Sequence, residues 1–76
     1  MIKVLLVDDH AIVRDGLKRL LADLKLGPIL EAATGEAALD IARSERPQLV
    51  ILDLNLPDLG GLEVLGRLLR QDSAAR

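Results

Sequence analysis

The sequence predicts an α/β fold in which short apolar strands alternate with amphipathic helices. Two observations predict it first. The runs Ile2-Lys3-Val4-Leu5-Leu6-Val7 and Gln48-Leu49-Val50-Ile51-Leu52-Asp53 are almost continuously apolar and end on acids. Strands of that kind belong in a sheet covered on both faces, which in practice is a parallel sheet. The third observation is the spacing between them, where helical periodicity, a weaker strand and a second helix follow in turn. The order is β-α-β-α-β-α, with right-handed crossovers joining parallel strands.

The first strand spans Ile2 to Val7. A helix from Ala11 to about Leu24 follows. Val13, Leu17, Leu20, Leu21 and Leu24 recur there at helical spacing, with Arg14, Asp15, Lys18 and Arg19 on the other side. Gly27 and Pro28 close it, Gly as a C-terminal cap and Pro as a breaker. Ile29 to Ala33 is a short strand. Thr34-Gly35-Glu36 opens a second helix to about Ser44, whose inward face is Ala38, Leu39 and Ala42. Pro47 separates it from Gln48 to Asp53, which reads as the clearest buried strand. Leu54 to Gly61, with Pro57-Asp58 and Gly60-Gly61, is a loop. Leu62 to about Gln71 is a third helix, and Asp72 to Arg76 is a polar tail.

Composition narrows the function. Half of the 76 residues are hydrophobic, yet none is Phe, Tyr or Trp, so no aromatic platform exists for stacking bases or sugars. The formal net charge of −2 gives no basic footprint for a nucleic-acid backbone. With no Cys and one His, disulfides and thiolate metal sites are excluded and zinc is a poor candidate. The apolar runs are too short to span a bilayer. One Lys and an acidic pair, with no small-residue cleavage site, do not make a signal peptide, so the default location is cytoplasmic.

The acids carry the chemistry. Ligands of parallel α/β sheets bind beyond the carboxyl ends of the strands, where Asp8, Asp9 and Asp53 fall. Two carboxylates about 6 Å apart repel by roughly 3 kcal/mol at an effective dielectric near 20. Three together need a cation, shared protons or wide solvent access. Magnesium takes carboxylate oxygens and keeps open positions for water and phosphate. A carboxylate beside it can attack phosphorus, giving an aspartyl phosphate. The competing structural reading makes these acids helix caps or turn residues, with Asp9 capping the helix near Ala11.

Val4-Leu5-Leu6-Val7-Asp8-Asp9-His10 and Leu52-Asp53-Leu54-Asn55-Leu56-Pro57 with Gly61 resemble the two defining motifs of response-regulator receiver domains of two-component systems. The stretch from Asp9 to Leu17 resembles receivers joined to a LuxR/NarL-type helix-turn-helix domain, and Glu31-Ala32-Ala33 with Gly35 to Leu39 is similar to the usual second strand and helix. The resemblance implies a flavodoxin-like fold of strand order 2-1-3-4-5. It makes residues 1–76 the N-terminal part of a receiver, with strands in the order 2-1-3 and strands four and five absent. A Ser/Thr and a Lys that bind phosphoryl oxygens would belong to those later strands. Lys3, Lys18 and Lys25 are not placed to replace that Lys.

By the same resemblance Asp53 is the phosphoacceptor, Asp9 a direct Mg2+ ligand, and Asp8 an acid that reaches the metal through water. Asn55 would complete the coordination through its backbone carbonyl, while Pro57 and Gly61 shape the loop. His10 reads as a capping or rim residue without a catalytic role; Arg14, near the mouth, could help attract an anionic donor but reads first as a solvated helix-face residue. The implied function is a signalling module, not an enzyme. A sensor histidine kinase would donate the phosphoryl group, and the parent protein would control transcription through a separate DNA-binding domain.

Three other readings compete with this one. A magnesium-dependent phosphatase with an Asp nucleophile needs a second acid two residues on, where this chain has Asn55. A flavodoxin-type electron carrier needs a phosphate-cradling loop where Asp8-Asp9 would repel the flavin phosphate. A chemically inactive receiver fragment would instead self-associate, pairing Gln48 to Leu52 with a second copy because that strand would lack its neighbour.

Overall fold

The computed structural model describes the backbone of residues 1–74 and the side chains through Gln71. Six elements follow in the predicted order: β1 (Val4–Val7), α1 (Ala11–Asp23), β2 (Ile29–Ala32), α2 (Gly35–Glu45), β3 (Leu49–Leu52) and α3 (Gly61–Ala74). The sheet is parallel, in the order β2-β1-β3. The α3 helix takes in residues 72–74, which the sequence assigned to a polar tail, while residues 75 and 76 of that tail lie outside the described residues.

Central placement explains the composition of β1. All four of its residues are buried, because a strand with neighbours on both edges and helices on both faces has no solvated side. Leu5 and Val7 join Ala32, Ala38, Leu39 and Val64 in one core cluster beneath α2 and α3. Val4 and Leu6 alternate onto the other face, where α1 packs against β1 and β2. The small residues predicted for α2 serve their purpose: Ala38 and Leu39 are buried and Ala42 is half-buried.

Two expectations need correction. β3 is the less buried of the two apolar strands, with Leu49 39% exposed and Val50 to Leu52 half-buried. Among the described residues its far edge has no partner, so apolar composition alone did not report burial. The inward face of α1 was also misassigned. Leu21 is buried, Arg14 and Leu17 are half-buried, and Val13, Leu20 and Leu24 are exposed. The helix is rotated so that its narrow contact stripe runs through positions 14, 17 and 21, and apolar periodicity was broader than the surface available to cover it.

The ends of α1 differ too. Lys25 takes the left-handed position, at φ 54°, that the sequence assigned to Gly27. Gly27 is needed for a different reason: a Cβ there would collide with the Ile2 carbonyl, where the chain returns to pair beside β1. The α2 helix starts as predicted, with Thr34 Oγ1 accepting the Ala37 N–H at 3.1 Å.

The rotation of α1 has a measurable consequence. Leu21→Ala removes buried contacts and should cost about 2–4 kcal/mol in urea denaturation. Its neighbour Leu20, 65% exposed, should tolerate the same change within about 0.5 kcal/mol. Equal losses at the two positions would contradict the packing described.

Candidate functional site

Strand register places the acids. Val7 of β1 pairs with Leu52 of β3, so the residues that follow, Asp8 and Asp53, emerge side by side at the carboxyl end of the sheet. The ladder runs one step past the strands: the Asp8 N–H donates to the Ala32 carbonyl at 3.1 Å, and the Asp53 N–H donates to the Val7 carbonyl at 2.9 Å. Both Cα positions are thereby fixed by the sheet rather than by a loop.

The carboxylates of Asp8, Asp9 and Asp53 converge as the sequence predicted, and His10 joins them. One ligand-type atom from each of the four lies within 4.8 Å of the others. His10 Nδ1 is 3.0 Å from Asp8 Oδ1, 3.0 Å from Asp9 Oδ1 and 4.0 Å from Asp53 Oδ2. The imidazole thus stands among three carboxylates, where compensation of their charge is needed. The His10 backbone N–H donates to Asp8 Oδ1 at 2.8 Å. That bond, aided by the imidazole and by Arg14, holds the Asp8 carboxyl below its usual range against the upward push of burial. The hydrogen bond to Asp8, with the charge of Asp9, raises His10 above its ordinary value. His10 occupies the N-cap position of α1 without a side-chain capping bond, so its ring serves the rim of the acidic cluster. Asp9 does not cap that helix.

Asp53 is held asymmetrically. Its Oδ1 accepts the Asn55 N–H at 3.1 Å, while its Oδ2 is the oxygen facing His10. Asn55 is thus tied to Asp53 through its amide, and its backbone bridges Gly60 across the loop. Gly61 closes that loop by donating its N–H to the Leu54 carbonyl at 3.0 Å. A Cβ at Gly61 would run into the Leu54 backbone, so only glycine allows this return past the strand end.

Two residues had roles the sequence reading missed. Arg14 is not a solvated helix-face residue. Its side chain is 20% exposed, it donates through Nη1 to the Asp8 carbonyl at 2.6 Å, and its Nε reaches Glu31 at 3.2 Å. Lys18 holds the other oxygen of Glu31 at 3.1 Å, and the two cations, Lys18 foremost, keep that carboxyl below its usual range. Asp58, read only as a turn residue, caps α2 from the loop. It accepts the Gly35 and Glu36 N–H groups at 2.8 and 3.0 Å, which fastens the loop after β3 to the next helix. Helical spacing finds neither, because both act across elements; only an Arg one turn inside the helix from an acidic pair hints at the first.

With the sheet order and the acidic cluster described, the family can be given. The profile of the response regulator receiver domain matches residues 4–76, and the chain belongs to that family. It is similar to the response regulator GacA of Pseudomonas aeruginosa, with 48% identity over 71 residues that are 92% of this chain and 33% of that protein. The chain therefore spans about a third of the length of such relatives. It is also similar to a LuxR-family two-component response regulator from Aurantimonas, with 37% identity and a TM-score of 0.83, covering 100% of this chain and 55% of that one. The CheX-CheY-BeF3-Mg2+ complex from Borrelia burgdorferi aligns with a TM-score of 0.89 at 26% identity, covering 95% of this chain and 55% of that one. No helix among the described residues is long and apolar enough to cross a membrane.

The Asp58 cap gives a pH prediction. Its hydrogen bonds to the Gly35 and then the Glu36 N–H favour the ionised form, so its folded pKa lies below its unfolded one. The stabilisation is therefore fully present above the ordinary carboxylate range and is lost as pH falls through the lower folded value. Thermal melts should show Asp58→Ala less stable than the parent at neutral pH. The gap should begin to narrow as pH falls below about 4 and shrink further through the lower folded value. A gap independent of pH would show that charge plays no part in the cap.

Proposed function

We propose that this chain is a phosphoacceptor module in which Asp53 takes a phosphoryl group at a Mg2+ site. Convergence of the three carboxylates beyond the strand ends is the observation that carries the reading. The donor set fits the ion: Asp8, Asp9 and Asp53 offer hard oxygens at one point, as Mg2+ requires, and the Asn55 carbonyl would complete the protein's share. Placement of the His10 imidazole 3.0 Å from both Asp8 and Asp9 supports the same fit, because the carboxylates already converge on one point that a ligand can occupy. His10 is 64% exposed, so its ring is free to swing aside. The Borrelia complex, whose description includes BeF3 and Mg2+, lends support by likeness of fold.

When bound, the metal would neutralise the oxygens of the incoming phosphoryl group. The remaining work falls to the chain. The sheet fixes Asp53, the Asn55 N–H holds its Oδ1, and Oδ2 is left as the nucleophile. Attack by Oδ2 forms the new P–O bond as the bond from phosphorus to the donor breaks, and the electron pair leaves with the donor. In the cell that donor would be a phosphohistidine of a sensor histidine kinase. The output would be control of transcription in the longer parent protein, as its likeness to GacA and to a LuxR-family regulator supports. A cytoplasmic setting follows from that role.

Intact mass measured before and after incubation with Mg2+ and acetyl phosphate tests the proposal. The 8.2 kDa chain should gain one phosphoryl group, and both Asp53→Asn and removal of Mg2+ by chelation should abolish the gain. An adduct that persists in Asp53→Asn would place the chemistry elsewhere. No adduct on the parent chain would favour the inactive reading.

A second reading concerns assembly. We infer that Gln48 to Leu52 pairs antiparallel with a second copy about a two-fold axis, joining two three-stranded sheets into one. Among the described residues β3 is half-exposed and has no neighbour on its far edge, which favours the reading, since an unpaired edge is a template for another strand. Light scattering at roughly tens of micromolar should then give twice the chain mass. A mass of 8.2 kDa throughout would remove the idea.

A further inference from the structure

We propose that Arg14 is a positioning residue for the cation site, fixing the backbone of the Asp8–Asp9 turn so that both carboxylates stay available to one ion. The inference rests on the reading of Asp8, Asp9 and Asp53 as a cation site.

Asp8, the residue after β1, is the last to join the ladder, and the peptide after it starts the turn that presents Asp9. Asp8 is held on both sides of its Cα, through its N–H and through its carbonyl, by links that lead to β2. On one side the Asp8 N–H is bound to the Ala32 carbonyl. On the other the Asp8 carbonyl accepts from Arg14 Nη1 at 2.6 Å, and Arg14 is anchored through Nε to Glu31, the residue before Ala32. Lys18, on the next turn of α1, holds the second Glu31 oxygen and completes the anchor. Without the Arg14 bond the Asp8–Asp9 peptide is free to rotate, and rotation carries the Asp9 carboxylate away from Asp53. A guanidinium suits the task because its donors are fixed in one plane and serve two acceptors at once, whereas an ammonium is a point charge on a flexible stem. The bond is charge-assisted and short, as the stronger hydrogen bonds are.

Coulomb's law opposes this role and thereby makes it testable. The Arg14 cation lies near the acidic cluster and repels an incoming dication. If charge were all that mattered, neutralising Arg14 would tighten Mg2+ binding and Arg14→Lys would leave it unchanged. Positioning predicts the reverse: both changes weaken it, since supports behind metal ligands are commonly worth tenfold or more in affinity.

The experiment is a Mg2+ titration of the protein and of Arg14→Lys, Arg14→Met and Glu31→Gln at one pH and ionic strength. It is followed through the backbone amide resonances of Asp9, His10 and Asp53. Thermal melts without Mg2+ establish that each variant is folded. We expect the Mg2+ Kd of Arg14→Lys and Arg14→Met to rise roughly tenfold, with a smaller rise in Glu31→Gln. A Kd that is unchanged or lower in Arg14→Lys overturns the proposal, and that variant decides the matter even if Arg14→Met fails to fold. A parent protein whose amides do not respond to Mg2+ overturns the cation site itself, and the role of Arg14 falls with it.

Discussion

Parallel pairing of β1 with both of its neighbours is the constraint on which the rest of the molecule depends. Because Val7 stands beside Ala32 on one edge and Leu52 on the other, all three strands end at the same level. Whatever follows them is delivered to one place. A register shift of one residue would separate Asp8 from Asp53 and turn the buried alternation of β1 inside out. The same pairing that buries Val4 to Val7 thus also gathers the acids, and the core and the site cannot be varied independently.

Gathering carboxylates is costly, and the surrounding chemistry answers that cost in layers. The His10 N–H and imidazole meet Asp8 directly, and the Asn55 N–H meets Asp53. Further out, Arg14 binds the Asp8 carbonyl rather than its carboxylate. It therefore fixes the turn without occupying the oxygens that a cation would use. Donors close to the acids are supplied by the backbone or by an exposed ring, and the permanent guanidinium is kept one bond further away. Such an arrangement leaves room for a cation while limiting repulsion in its absence.

Opposite Arg14, the loop after β3 is fastened in its own way. Asp58 reaches across to the first turn of α2, Asn55 and Gly60 bridge, and Gly61 turns back against Leu54. The capping requirement of one helix is met by a loop that belongs to another strand. That exchange ties the two crossovers together at the end of the sheet where the acids lie. The two sides of the site are thus held by different means: a salt-bridged network running to β2, and a loop clipped to a helix terminus.

The alternation of strands and helices, the parallel sheet and its acid-terminated ends were legible in the sequence, because each is written in local pattern: apolar runs, helical spacing, and Gly or Pro where the chain turns. The motifs around Asp8-Asp9 and Asp53 were legible for the same reason, each being contiguous. Burial was not. β1 and β3 have nearly the same composition, and only their places in the sheet make one wholly buried and the other half-exposed. The rotation of α1 escaped as well, since its apolar residues outnumber those the sheet can cover, and so did the work of Arg14 and Asp58. Their partners, Glu31 and the amides of α2, lie 17 and 22 to 23 residues away. Contacts over such separations are created by the crossovers, and local pattern holds no record of them. The sequence determined which groups reach the end of the sheet; tertiary structure decided which of them meet, because meeting depends on register and helix rotation.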